Sequence, residues 1–162
     1  MTTIVYRDGI IACDSQVTVG EVKYARMKKI RKLPNGNLIG ICGDGIAGYR
    51  LMQMIEGNGG EPTQQIIEAA RGAAAIYVTT DKTVWTLVGG KNGGLAPMIG
   101  PFFADGSGYV AALAAMKAGA NAVQAVTIAT ELDTFSSPPI YTEKLGDPPP
   151  KKRTAKKRTK KA

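Results

Sequence analysis

Thr2 is the residue whose position permits the most chemistry. The chain has 162 residues and no histidine. That excludes a Ser-His-Asp or Cys-His arrangement and any histidine-ligated metal site, so a catalytic base must come from elsewhere. A methionine ahead of a small residue is commonly trimmed, which would leave Thr2 first in the chain. A free N-terminal threonine carries its own base. The α-amine has a reference pKa of about 7.7–8.0 and lies beside the hydroxyl, whose proton it can take directly or through a water. On its own, Thr2-Thr3 equally well begins an edge strand.

Two other patterns invite a chemical reading. Gly43-Asp44-Gly45-Ile46-Ala47-Gly48 matches GxGxxG, which in a dinucleotide-binding unit places a pyrophosphate on a helix N-terminus. Here the preceding strand belongs to a hairpin, and Asp44 puts a carboxylate where the phosphates would lie, which favours a tight strand-to-helix turn. Cys13 and Cys42 are too far apart for a CxxC redox or zinc motif. They are expected to be buried thiols in a reducing cytoplasm.

The elements that must position these residues can be read from turn signals and periodicity. Asp8-Gly9 separates Thr2 to Tyr6 from Ile10 to Cys13, and Asn35-Gly36 separates Lys28 to Leu33 from Asn37 to Cys42. Both are hairpin signatures, so four strands are expected before any helix. Ile46, Tyr49, Met52 and Ile55 recur at helical spacing, and Gly57-Asn58-Gly59-Gly60 ends that helix. Pro62-Thr63 starts a short second helix. Ala74 to Thr79 and Thr83 to Val88 read as paired strands, and Leu95 to Ile99 as one more. Gly106-Ser107-Gly108 opens a helix through Lys117, Asn121 caps another to about Thr130, and Ile140 to Lys144 is a last strand. Two sheets and two helix pairs predict an α+β fold, a four-layer αββα sandwich of two antiparallel sheets.

The sequence carries a longer pattern in one order: Thr2-Thr3-Ile4-Val5, Gly9, Ala12-Cys13-Asp14-Ser15-Gln16-Val17-Thr18, Gly20, Lys28-Lys29-Ile30, Cys42-Gly43 and Gly106-Ser107-Gly108. This resembles the proteasome β-subunit family of N-terminal nucleophile (Ntn) hydrolases, and within it the HslV-type peptidases, over about residues 2 to 145. The resemblance implies a threonine endopeptidase working in a self-compartmentalising homo-oligomer of stacked rings on peptide or unfolded protein, with an ATP-dependent unfoldase as a partner and no cofactor.

Residue by residue, the resemblance implies that Thr2 is the nucleophile and Lys29 the lysine whose ammonium favours the alkoxide, with Asp14 fixing Lys29. Gly43 matches the glycine whose backbone N–H forms the oxyanion hole, and Ser107 the serine near the terminal amine. Asp133 and Ser136 have the spacing of a supporting Asp-x-x-Ser. Val17, Met27, Ile41 and Gly45 would line the pocket for the residue before the cut, with an apolar preference. Each position also has a plainer account: a solvated basic run for Lys29, a turn for Asp14, a helix cap for Ser107, packing for the pocket residues. The turn reads Cys-Gly-Asp-Gly where relatives have Ala-Gly-Gly, so Asp44 opposes catalysis if it points inward. A catalytically weak or inactive assembly protein is the alternative function.

Charge divides the chain rather than describing it. The formal net charge is +8, yet Lys151, Lys152, Arg153, Lys156, Lys157, Arg158, Lys160 and Lys161 supply eight of the 21 basic residues, and the other 13 are matched by 13 acidic ones. The expected organisation is a proteasome-like domain over 1–145 and a disordered Pro/Lys/Arg-rich tail over 146–162. The tail either attracts nucleic acid or another polyanion without sequence preference, or simply solubilises, and a ring would raise its avidity. No stretch approaches 18 apolar residues and no signal peptide opens the chain, so no membrane association is expected.

Overall fold

The computed structural model describes residues 2–147. Six strands precede the first helix: β1 (Thr3–Arg7), β2 (Ile10–Cys13), β3 (Gln16–Val19), β4 (Val22–Arg26), β5 (Ile30–Lys32) and β6 (Leu38–Gly43). Helices α1 (Gly45–Gly57) and α2 (Gln64–Ala69) follow, then β7 (Ala73–Val78), β8 (Val84–Val88), β9 (Gly94–Met98) and β10 (Phe102–Gly106). The order closes with α3 (Tyr109–Lys117), α4 (Ala122–Leu132) and β11 (Tyr141–Lys144).

The strands form a four-stranded sheet, β10-β1-β2-β11, and a five-stranded sheet, β5-β6-β7-β8-β9, both antiparallel throughout. Between them lies a core of Ile4, Ile11, Ile30, Leu38, Ile76 and Val84. Leu51, Met52 and Ile55 of α1 pack on the outer face of the five-stranded sheet. Ala112, Met116, Ala125 and Val126 of α3 and α4 cover Val5 and Ala12 on the other. The αββα order of layers is therefore as expected. Strand β1 reads as an unbroken apolar run because Ile4 faces the second sheet while Val5 faces the helices. Gly40 lets the sheets approach: a Cβ there would lie 2.8 Å from Ile11 and 2.9 Å from Ile4.

Two expectations need correction. Six strands, not four, precede α1, because Gln16–Val19 and Val22–Arg26 form a separate two-stranded hairpin turning at Gly20. Its second strand is exposed along its whole length, so it lacks the apolar alternation that marks a half-buried strand. Phe102–Gly106 is a further strand that joins the edge of the first sheet beside β1; the glycine-rich opening of α3 obscured it. No helix among the described residues is long and apolar enough to cross a membrane.

Candidate functional site

The site grows from the β1–β2 hairpin. Its register pairs Ile4 with Cys13 and so brings Thr3 against Asp14. The Asp14 N–H donates to the Thr3 carbonyl at 3.1 Å, and the Thr3 N–H donates to Asp14 Oδ1 at 2.9 Å. Lys29, just ahead of β5, donates from Nζ to the same oxygen at 2.9 Å. Asp14 Oδ2 accepts from the N–H groups of Gln16 at 2.8 Å and Ser137 at 3.3 Å. Both charged side chains are essentially buried, 0% exposed for Asp14 and 3% for Lys29. A buried ion pair is tolerated when further hydrogen bonds satisfy the charges, and Asp14 receives four. The plainer readings of these two residues, a turn and a solvated basic run, do not describe them.

Thr2 is buried and lines a narrow cleft of about 10 Å³ with Lys29, Gly43, Met27 and Ile41, room for at most about one water. Gly43 ends β6 at φ +78, and a Cβ there would come within 3.0 Å of the Gly72 carbonyl. Asp44 does not point into the cleft to make its bonds. It is the N-cap of α1, its Oδ1 accepting from the Ala47 N–H at 2.8 Å. The GxGxxG segment is thus a strand-to-helix turn leaving an antiparallel sheet, as its hairpin context indicates.

A second network holds Thr2 and Thr3 from the α3–α4 side. The Ser107 hydroxyl donates to Asp133 Oδ2 at 2.7 Å and reaches the Thr2 carbonyl at 3.3 Å. Ser136 donates to Asp133 Oδ2 at 2.6 Å, and its hydroxyl lies 2.7 Å from Thr3 Oγ1. Ser107 is not a helix cap: the N-cap of α3 is Gly108, with no side-chain cap. The flanking glycines make the approach possible. A Cβ on Gly106, at φ +92, would lie 1.9 Å from the Thr2 carbonyl oxygen, and one on Gly108 would lie 2.0 Å from Thr3 Oγ1.

The four apolar positions expected beside the cut divide between two hollows. Met27 and Gly45 line both the Thr2 cleft and an adjoining cavity of about 740 Å³; Ile41 belongs to the cleft and Val17 to the cavity. Thr3, Gln16 and Ser137 are parts of the site that sequence reasoning missed. No local signal marks them, because their partners lie 11 to 133 residues away or in the neighbouring loop.

Neither cysteine suits nucleophilic work. Burial pushes the Cys13 thiol up to about 11. Burial, followed by the Asp105 carboxylate, raises that of Cys42, which borders the Thr2 cleft. Both stay protonated near neutral pH, and the thiol is the unreactive form. Lys151, Lys152, Arg153, Lys156, Lys157, Arg158, Lys160 and Lys161 lie outside the described residues.

No family model matches the chain, and no curated protein matches its sequence. Solved structures do. HslV from Trypanosoma brucei is 25% identical with a TM-score of 0.64, covering 88% of this chain and 97% of its own. Thiobacillus denitrificans BPH in complex with epoxomicin is 19% identical with a TM-score of 0.66, covering 90% of this chain and 98% of its own. BPH in a second structure gives 19% and 0.57. The chain has the fold of the HslV/proteasome-type Ntn hydrolases over most of its length.

Proposed function

We propose that the chain is a threonine-type peptidase whose nucleophile is Thr2 once Met1 has been removed. The observation that carries this is the buried Asp14–Lys29 pair, 2.9 Å apart, with Lys29 lining the same cleft as Thr2 and Gly43.

In the proposed reaction the freed α-amine of Thr2 takes the hydroxyl proton, and the hydroxyl oxygen attacks a peptide carbonyl. The Lys29 ammonium favours the developing alkoxide and keeps the amine neutral enough to act as base. Asp14 holds Lys29 in place. The Gly43 N–H receives the oxyanion. The amine returns its proton to the leaving nitrogen, the amide bond breaks, and a water later cleaves the ester with the amine again acting as base. Ser107, Asp133 and Ser136 position Thr2 and Thr3 through the hydrogen bonds described.

Assembly into stacked homo-oligomeric rings, feeding by an ATP-dependent unfoldase and a cytoplasmic location belong to the same reading. Their support is the likeness to HslV, together with two buried free thiols suited to a reducing compartment. The test pairs mass spectrometry of the purified chain with hydrolysis of fluorogenic peptides. The expected result is a mature Thr2 terminus and turnover abolished by Thr2→Ala. A retained Met1 on active protein, or turnover indifferent to Thr2→Ala, overturns the proposal.

A further inference from the structure

Asp105 is an ionisable group that the proposed reaction leaves unused. It lies in β10, where the register sets it opposite Ile4 of β1. Directly opposed residues of an antiparallel pair share a face, and Ile4, Phe103 and Cys42 all belong to the core between the sheets. Asp105 is therefore turned to that inner face, half-buried at its rim. Thr2 is turned the same way: Thr3 bonds Ser136 on the helix side, and alternation along the strand sends Thr2 inward with Ile4. Asp105 and Thr2 are thus diagonal neighbours across the strand pair, about 7–8 Å apart. Two contacts place the carboxylate in that gap. Its Oδ1 accepts from the Gly106 N–H at 2.6 Å, which leans it towards the Thr2 end of β1. The Cys42 thiol, a wall of the Thr2 cleft, lies beside it. No cation pairs with Asp105 among the described residues.

We propose that Asp105 is a positioning residue for the reaction: from behind Cys42, its carboxylate steadies the ammonium that forms when the α-amine of a mature Thr2 takes the hydroxyl proton. The inference rests on the peptidase reading and adds a group to that site. A base that becomes charged in the transition state gains from an anion held nearby, as an imidazolium does from the aspartate of a Ser-His-Asp triad. The other charged groups around Thr2 do not supply this. Asp14 is committed to Lys29 and to three backbone N–H groups. Asp133 accepts from Ser107 and Ser136 on the helix side, and Asp44 caps α1. The Cys42 thiol stays protonated and adds no charge. Lys29, which lines the cleft, acts in the opposite sense and favours the neutral amine. The amine thus lies between two opposite charges, one keeping it a free base before attack and the other supporting it once protonated. Asp105 lines neither the cleft nor the adjoining cavity, so it acts on the base and not on the bound peptide.

The experiment uses the full chain, produced with Thr2 as its first residue by cleavage of a leader. Threonine is labelled with carbon-13, and the Thr2 Cα signal, identified by its loss in Thr2→Ala, is followed by NMR as the amine titrates between about pH 5 and 10. Hydrolysis of a fluorogenic peptide is measured over the same range. Asp105→Asn keeps the shape and removes the charge. It should move the amine titration and the acidic limb of kcat down together by about half a unit to one unit, because the ammonium loses its anion. That shift corresponds to about a three- to tenfold fall in kcat at the plateau, with KM unchanged. Asp105→Glu should restore most of both, and Asp105→Ser replaces the Asn variant if that one does not fold. A slower enzyme whose titrations stay in place, an upward shift, or a variant identical to wild type overturns the inference. A downward shift of the amine titration in a chain that hydrolyses nothing would uphold the pairing of Asp105 with the amine and sink the peptidase reading. Hydrolysis whose acidic limb ignores Asp105 would do the reverse.

Discussion

Asp14 and Lys29 meet at 2.9 Å, both withdrawn from solvent, although fifteen residues separate them in the chain. Breaking a buried pair by removing one partner leaves an uncompensated charge, at a cost of about 3–5 kcal/mol. Lys29→Met and Asp14→Asn should each lower the unfolding free energy by that order, and replacing both should cost less than the sum. A double-mutant cycle by chemical denaturation measures this. Additive losses would show that the pair is not coupled.

The glycines around Ser107 set the distance between α3 and the N-terminal strand. Gly108→Ala must displace Thr3 Oγ1, 2.0 Å from the new methyl. Overpacking of this kind costs about 1–3 kcal/mol. Peptide hydrolysis is expected to fall further than that stability loss explains, because the hydroxyl network through Ser136 and Asp133 moves with it. Thermal melting alongside a peptidase assay separates the two effects.

Asp44 caps α1 through a single hydrogen bond to the Ala47 N–H. Removing an N-cap oxygen costs about 1 kcal/mol. Asp44→Ala should lower stability by that amount, whereas Asp44→Asn should stay within a few tenths of wild type. Denaturation midpoints of the two variants give the comparison, and an Asp44→Ala variant as stable as wild type would mean the cap contributes nothing.

The Cys13 thiol, raised from 9.0 to about 11 chiefly by burial, makes stability depend on pH. The folded state holds the proton more tightly than the unfolded chain, so the contribution is fully present below about pH 9 and is lost as pH rises towards 11. Two units correspond to about 2–3 kcal/mol. Unfolding free energies of the wild type should therefore fall between pH 9 and 11, and Cys13→Ala should flatten that fall. Alkylation of folded protein at pH 7.5 should be slow at both thiols, since burial keeps them protonated.

The basic tail is proposed to hold polyanions. A chain ending at Pro150 removes all eight tail cations. Full-length protein should bind duplex DNA with a slope of log affinity on log salt no steeper than about −7, and the shortened chain should lose most of that binding at low salt. Equal binding by both would place the interaction on the folded domain.

Much of the fold was legible because it is written locally. Asp8-Gly9 and Asn35-Gly36 announce their hairpins, Asn121 forms a capping box with Gln124, and α1 forms where its stripe predicts, burying Met52 and Ile55 of that stripe while Ile46 and Tyr49 stay exposed. The hairpin of β3 and β4 was not legible for a physical reason: it joins neither sheet, and β4, exposed along its whole length, has no alternation to read. Phe102–Gly106 escaped because its place beside β1 depends on a partner about a hundred residues earlier.

The sequence by itself determined the chemistry on offer: no histidine, a threonine near the start that can carry its own base, an ordered set of Asp14, Lys29, Gly43 and Ser107, and a cationic tail after a neutral body. Only the tertiary structure decided what those residues do to one another. Burial turned Lys29 from a member of a basic run into the partner of Asp14, and the close approach of Gly106 and Gly108 turned Ser107 from a candidate cap into a support for Thr2. It also turned Asp44 from a threat to the oxyanion site into the N-cap of α1. Local signals reach a few residues along the chain. Desolvation and contact depend on which surfaces the two sheets bring together, and no local pattern encodes that.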